Sequence, residues 1–221
     1  MLPAQPNQSI MSGMKCLEEI AALTEPIGSR ELSRLLNEEP TKVNRILGTL
    51  CHLGYVEKTA NNKYKVGPAI HIMASLTLSS SKLLHHALEP LKELLKSKLT
   101  VALGVLWKNK VSYIFHGNSK MPFEQCIGSR GLYPEEKSSI GTIIRICNKK
   151  ESLTTAEKKI LKDGYSYAYA ETSQVSLAVP IGKPNVIAGL ALAGYTDTFD
   201  HQANLDRLLS AADIINKSLN Q

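Results

Sequence analysis

The sequence predicts an α+β protein with a small N-terminal winged helix-turn-helix, a linker helix and a larger C-terminal α/β domain built on an antiparallel sheet. Three observations predict it. Apolar residues recur with helical spacing in three segments of residues 9–54. An alternating pattern with an Asn-rich turn then indicates a β-hairpin. Beyond residue 82, amphipathic helices bracket further hairpin patterns, which is typical of the α+β class.

The first two predicted helices are short. A helical stripe of apolar residues covers residues 9–23, and Pro26 and Gly28 break it. Ser29 is expected as the N-cap of a second helix, because a serine hydroxyl can accept a hydrogen bond from a free N–H of the first turn. The apolar face of that helix is expected to consist of Leu32, Leu35 and Leu36.

The third predicted helix has one apolar and one polar face. Pro40 suits its first turn, where a missing N–H costs nothing. Gly54 is a natural left-handed residue at its end. Residues 55–58 and 63–66 then form the predicted hairpin. The apolar positions expected to face inward on the third helix are Val43, Ile46, Leu47 and Leu50.

The remaining chain alternates between helix and strand patterns. Residues 68–81 are almost free of charge, so a helix there needs a partner surface. A capping-box pattern of Thr154 and Glu157 opens a later short helix. The other predicted elements are a helix over 82–97, a hairpin of 101–107 with 111–116, a possible third strand at 123–127, a hairpin of 175–181 with 186–193, and a final helix over 200–219. The predicted domains are therefore 1–67, the linker 68–81, and 82–221.

Composition excludes several classes of protein. With 221 residues, 43% hydrophobic and 21% charged, the chain is globular rather than disordered. No apolar run approaches the roughly 18 residues of a membrane helix, and no secretory signal pattern is expected at the N-terminus. Four scattered cysteines predict neither a disulfide framework nor a zinc site, and they fit a reducing cytoplasm.

The positive charge is modest and unevenly placed. The chain has a net charge of +6, of which residues 1–67 contribute only +1. Bulk charge therefore does not predict a nucleic-acid partner for the N-terminal part. Within that part, residues 39–66 hold five basic side chains against two acidic ones. Positive charge is thus concentrated where the third helix and the hairpin lie.

The polar face of the third helix suits the major groove of double-stranded DNA. Arginine can form two hydrogen bonds with guanine and asparagine two with adenine, while threonine and lysine reach phosphate. The outward residues are Thr41, Lys42, Asn44, Arg45 and Thr49. The hairpin adds Lys58, Asn62, Lys63 and Lys65, and the start of the second helix adds Ser29 and Arg30. Since any surface helix has a polar face, the prediction depends on the whole ordered set of three helices and a basic hairpin.

The sequence resembles the IclR family of bacterial transcriptional regulators. In the N-terminal part the runs VNRILGTL, LGYVEK and KYKVGP carry the resemblance. In the C-terminal part it is carried by ALEPLKELLKSKLTVALGVLWKNKVSYIFH, by GYSYAYAETSQVSLAVPI and by IAGLALAG. The resemblance implies a repressor or activator that forms homodimers through the DNA-binding domain and linker helix, and often tetramers. It also implies a GAF-like C-terminal domain that binds a small organic effector.

Several positions depart from the family's pattern. Glu39-Pro40-Thr41-Lys42 stands where the family has Pro-Lys-Ser-Thr, and Ser139-Ile140-Gly141-Thr142-Ile143 replaces Ala-Leu-Gly-Lys-Ala. The stretch between Gly141 and Gly164 is much shorter than in the family. The effector-binding residues implied by the resemblance are Ser139, Gly141, Thr142, Glu171 and Ser176, the last in place of a family cysteine. The departures predict an effector pocket that is small, altered or lost.

No pattern predicts catalysis or a bound metal. His85 and His86 are adjacent in a predicted helix, so their side chains diverge by about 100° and do not easily chelate one ion. The sequence has no Gly-x-Ser-x-Gly elbow and no Walker or dinucleotide glycine pattern. We therefore predict no catalytic residue, no metal ligand and no cofactor.

Two other functions remain open at this point. One is a winged-helix regulator that acts without an effector, which the shortened C-terminal segment favours. The other is a small-molecule-binding or enzymatic domain whose winged helix serves only for dimerisation. A closed, apolar-walled pocket without converging acid–base groups would favour sensing, whereas an acid–base pair with shifted pKa values would favour catalysis.

Overall fold

The chain contains two compact units. A computed structural model describes residues 5–128, 131–149, 152–170, 172–182 and 184–220, and the units are Met1–Ser81 and Lys82–Gln221. No helix among these described residues is long and apolar enough to span a membrane.

The first unit is a winged helix-turn-helix followed by one more helix. Its short sheet has the order β1-β3-β2 with antiparallel pairing. The elements are α1 (Gln8–Ala22), β1 (Ile27–Gly28), α2 (Ser29–Leu36), α3 (Pro40–His52), β2 (Val56–Lys58), β3 (Lys63–Val66) and α4 (Pro68–Ser79). The core joins all three helices to the sheet and consists of Cys16, Leu17, Ile20, Ile27, Leu32, Val43, Leu47 and Val56.

Two details of α2 differ from the expectation. Helix α2 begins at Ser29 itself, and Gly28 occupies the N-cap without a side-chain hydrogen bond. The reason is that Gly28 pairs with Lys63 in β1, so the extended strand runs directly into the helix. Leu35 is 54% exposed, because this short helix contacts the core only through the stripe that carries Leu32 and Leu36.

The second unit is a six-stranded antiparallel sheet with helices on both faces. The strand order is β6-β5-β4-β9-β8-β7. The elements are α5 (Lys82–Leu95), β4 (Thr100–Trp107), β5 (Lys110–Gly117), β6 (Leu132–Pro134), α6 (Ser139–Asn148), α7 (Thr155–Asp163), β7 (Ser166–Ala170), β8 (Gln174–Ile181), β9 (Ala188–Tyr195) and α8 (His201–Leu219). The fold class predicted from the sequence is confirmed.

Each face of this sheet has its own core. Helices α5 and α8 cover one face, where Leu91 and Leu208 are fully buried. Helix α6 covers the other through Ile140 and Ile143. The predicted capping box of Thr154 and Glu157 is present at the start of α7.

Residues 123–127 do not form the expected third strand. Phe123–Cys126 is a 3-10 helix, and only Ile127 bridges to Phe115. The helical turn lets Phe123 and Cys126, three residues apart, pack on the same core, whereas a strand would direct them to opposite faces. The Phe123 ring lies 5.3 Å from that of Phe115.

Candidate nucleic-acid interface

The outer face of α3 is exposed, while the inner face anchors it in the core. Val43 and Leu47 have no exposed surface, and Ile46 and Leu50 are partly buried against the same cluster. The predicted residues Thr41, Asn44, Arg45 and Thr49 are exposed, and Lys42 is half-buried. The helix therefore presents these side chains on a rigid base, which is how recognition helices are presented to a groove.

The two basic residues of α3 differ in whether they form a salt bridge. Arg45 forms no salt bridge with any residue that the structure describes, so its guanidinium is available to a ligand. Lys42 is paired with Glu38, at 2.7 Å from its carboxylate. Thr49 uses its hydroxyl to donate to the Arg45 carbonyl at 3.1 Å, and it keeps acceptor capacity toward solvent.

The hairpin of β2 and β3 carries the predicted wing residues. Asn62 adopts a left-handed conformation, φ 57°, in the exposed turn. Lys58 and Lys63 are exposed, and Lys58 lies 5.9 Å from the centroid of the Tyr64 ring. Lys65 instead pairs with Glu57 at 2.6 Å. Lys63 is thus the wing cation with the least internal engagement among these described side chains.

The start of α2 adjoins the wing through backbone pairing. Gly28 pairs with Lys63 across β1 and β3, so the helix that begins at Ser29 starts beside the wing strand. Arg30 is exposed, and within the described chain no salt bridge involves it. Ser29 is partly buried.

Two residues of the same face were missed in the sequence analysis. Gly48 and His52 are exposed, and they follow Thr41 and Arg45 at helical spacing, so all four lie on one stripe. A Cβ added at Gly48 would meet nothing within 4 Å, which leaves the helix backbone open to close approach. The spacing from Arg45 was the signal that could have identified both residues.

In the second unit, two of the predicted effector residues meet at a small cavity. Ser176 donates to the Ser139 hydroxyl at 2.9 Å, and Ser166 donates to the Ser139 carbonyl at 2.7 Å. The cavity measures about 60 Å³, which is room for about two water molecules. Tyr113 and His116 also line it, although the sequence analysis did not select them.

Two of the other predicted effector residues, Gly141 and Thr142, do not line the cavity. Gly141 is packed against the backbone of Glu135, so closely that an added Cβ would lie 2.6 Å from it. Thr142 is on α6 but is not among the residues that line the cavity. Glu171 lies outside the described residues. Their assignment to an effector site therefore stays a prediction.

The described residues that line the cavity include no opposed acid and base. Desolvation raises the pKa of Tyr113 and lowers that of His116, so both groups are favoured in their neutral forms. No Asp or Glu of the described chain lines the cavity or the wider groove of about 650 Å³ that adjoins it at His116. The groove does include Lys98 and Lys120.

A metal site is not apparent in the part of the chain that the structure describes, since no group of three or more His, Cys, Asp or Glu side chains could hold an ion there.

Solved structures share this architecture. An IclR family transcriptional regulator from Brucella abortus is 19% identical, with 97% of this chain and 93% of that chain covered and a TM-score of 0.79. An IclR-type regulator from Silicibacter is 18% identical over 95% of each chain, with a TM-score of 0.76. This chain has the IclR-type fold.

A further structure with the IclR-type fold contains a ligand. An IclR homolog from Microbacterium hydrocarbonoxydans, complexed with 4-hydroxybenzoate, is 17% identical, with 96% of this chain and 99% of that chain covered and a TM-score of 0.70. No protein-family model matches the chain, and neither does any curated protein. The resemblance found in the sequence is thus confirmed for the fold.

Proposed function

We propose that this protein is a transcriptional regulator that binds a specific double-stranded DNA operator through residues 1–67. The observation that carries the proposal is the state of α3. Its Val43 and Leu47 are locked in the core, while Arg45 is exposed and lacks a salt bridge with the described residues. An exposed arginine on a rigid helix beside a basic hairpin is suited to bidentate contact with guanine.

The proposal is tested by selecting bound fragments from random double-stranded DNA with the full chain. We expect enrichment of one motif, and two half-sites if the protein binds as a symmetric dimer. Binding of the selected fragment and of a shuffled fragment is then compared at several salt concentrations. Failure to bind any duplex at low ionic strength would contradict the proposed function.

We propose that residues 68–81 form the homodimer contact implied by the resemblance. The α4 helix has no charged residue, and Ile72 and Leu76 are 60% and 65% exposed. An apolar helix of this kind is stabilised by burial against a partner. Sedimentation velocity should therefore detect a dimer or a tetramer at micromolar concentration. A monomer under those conditions would contradict this assignment.

We propose that residues 82–221 sense a small organic effector. The ligand of the IclR homolog complexed with 4-hydroxybenzoate supports the class of ligand, and the groove beside His116 supplies space. An effector acts only if its affinity differs between two states of the protein. Thermal-shift screening against small organic acids should therefore find a ligand that also changes operator affinity.

A regulator without an effector is the second candidate. The small cavity favours it, because Ser139 and Ser176, two of the predicted effector residues, are hydrogen-bonded to each other beside a space of only about 60 Å³. In that case operator affinity would be insensitive to every compound in the panel, while motif selection would still succeed.

A further inference from the structure

Glu38 lies in the turn between α2 and α3 and joins three parts of the first unit. Asn37 is left-handed at the end of α2, and the Glu38 N–H donates to the Ser33 carbonyl at 3.0 Å. One carboxylate oxygen accepts a hydrogen bond from Ser12 of α1 at 3.3 Å, and the other accepts from Lys42 of α3 at 2.7 Å. The carboxylate is therefore fixed before any ligand arrives.

The Lys42 ammonium is directed to this carboxylate. Lys42 is at the edge of the outer face of α3, about 60° around the helix from Arg45. Its stem lines a cleft of about 280 Å³ with Ser9 and Gly13 of α1. The hydrogen bond from Lys42, with a further one from Ser12, holds the pKa of Glu38 below its usual value. The Glu38 side chain is thus a carboxylate at neutral pH.

We propose that Glu38 withholds Lys42 from DNA phosphates and so limits the affinity of the winged helix for DNA of any sequence. This inference rests on the proposed DNA-binding function. A lysine that is already paired with a carboxylate adds less to counterion release when it meets phosphate. Because phosphate contacts carry no sequence information, this restraint lowers the affinity for the operator and for every other duplex alike.

The pair of Lys65 and Glu57 in the wing does not have this arrangement. Those two side chains are 52% and 47% exposed, and an ion pair in open solvent contributes little. The Glu38 side chain is only 21% exposed, and Ser12, which is buried in α1, binds it as well. Of the two carboxylates, Glu38 is therefore held more firmly beside its lysine than Glu57 is.

The test measures binding of the full chain to a random-sequence duplex over a range of salt concentrations. Glu38→Gln should tighten binding about five- to tenfold near 0.1 M salt and steepen the log–log salt slope by about 0.9, the contribution of one phosphate contact. The double variant Glu38→Gln with Lys42→Ala should return to the parent's slope. Lys42→Ala alone should leave the slope unchanged.

Glu31→Gln is the matched control for net charge. Glu31 is exposed on α2, and the structure shows no salt bridge from it to another described residue. This variant should keep the parent's slope. The inference is overturned if Glu38→Gln matches the parent, if Glu31→Gln gives the same increase, or if Lys42→Ala alone lowers the slope by about 0.9.

Two further outcomes are separable. If thermal unfolding shows that Glu38→Gln does not fold, the slope of Lys42→Ala decides: an unchanged slope supports the inference and a lower slope overturns it. If the parent binds no duplex at low ionic strength, the proposed DNA-binding function is contradicted. If the parent binds with the same salt slope as Glu38→Gln, only the inference about Glu38 is contradicted.

Discussion

The outer face of α3 and the cavity beside α6 both contain polar side chains selected from the sequence, but the two regions are held differently. On α3, Arg45 and Asn44 are exposed while the buried residues beneath them are apolar. Beside α6, Ser139 is only 2% exposed and is hydrogen-bonded to Ser166 and Ser176. The polar side chains of the first region are exposed above a packed apolar core, whereas those of the second lie within a packed core.

This difference predicts whether a substitution changes binding or the stability of the fold. A side chain on the outer face of α3 can be removed without leaving a hole, so the consequence should be confined to binding. A change in α6 alters close packing against the sheet and against the 3-10 turn Glu135–Lys137 that precedes the helix, so stability should change first. The following variants test that contrast in order of expected effect.

The largest effect is expected from Gly141→Ala. The added methyl would lie 2.6 Å from the backbone of Glu135 and 2.8 Å from Val111, so the backbone must move. Overpacking of this kind costs about 1–3 kcal/mol, so the free energy of unfolding in urea should fall by about that amount.

Gly48→Ala is the matched control on α3. Its added methyl meets nothing within 4 Å, and alanine is favoured over glycine in a helix by about 1 kcal/mol. The stability of the first unit should therefore hold or rise. Equal stability for the two alanine variants would contradict the contrast between the regions.

The next effect is expected from Arg45→Ala. Loss of a bidentate base contact should weaken binding to the selected operator by about 1–3 kcal/mol and relax the preference at one base pair. Fluorescence anisotropy with operators substituted at single positions measures both quantities. Arg34→Ala, which removes an exposed arginine from α2, should leave the preference intact. An unchanged preference in Arg45→Ala would remove Arg45 from the recognition set.

A smaller and sequence-independent effect is expected from Lys63→Ala. Because the exposed Lys63 is suited to phosphate, its loss should weaken operator and shuffled duplex alike and reduce the salt slope by about 0.9. Lys162→Ala is the control, since Lys162 is an exposed lysine of α7 in the second unit, and its slope should match the parent's. A selective loss for the operator would show that Lys63 reads bases instead.

The smallest effect at neutral pH concerns the second unit. Glu157 accepts hydrogen bonds from Arg145 at 2.6 Å and from Thr154, which lower its pKa to about 2. A carboxyl whose pKa is lowered by folding stabilises the fold above its unfolded pKa of about 4.3 and loses that contribution as pH falls toward 2. Glu157→Gln should therefore have a lower Tm at pH 7 and a flatter dependence of Tm on pH between about 5 and 2.

Glu136→Gln is the control for this pH series. Glu136 is exposed, and no salt bridge links it to another residue in the described ranges. Its Tm should follow the parent through the acid range. If the Tm of Glu157→Gln falls as steeply in acid as the Tm of Glu136→Gln, protonation of Glu157 does not account for the loss of stability in acid.

Local sequence patterns were sufficient to predict those elements whose ends and faces are set by residues close together in the chain. The capping box of Thr154 and Glu157 starts α7. Asp200 caps α8 through a hydrogen bond from the Ala203 N–H. The outer face of α3 followed from the spacing of Val43, Ile46, Leu47 and Leu50. In each case the decisive interaction is between residues that are close in the chain, so the sequence carries it directly.

The cavity beside α6 could not be predicted in this way. A bulge in the pairing of β4 with β5 lets Gly104 pair with Tyr113 after Leu103 has paired with Phe115. Tyr113 and His116, three residues apart, thereby line the same cavity, although strict alternation would place them on opposite faces. Helix α6 was also missed, although its polar residues Thr142, Arg145 and Asn148 recur at helical spacing between the buried isoleucines.

The sequence by itself determined the α+β class, the winged helix-turn-helix and the outward residues of α3, because these depend on helical and strand periodicity and on apolar burial over short stretches. Only the tertiary structure decided which cations of α3 and of the hairpin are paired with a carboxylate. Glu38 and Glu57 pair with Lys42 and Lys65 but no described carboxylate pairs with Arg45. The cavity of about 60 Å³ beside Ser139 and Ser176 also depends on the tertiary structure, because its walls come from strands and a helix that are far apart in the chain.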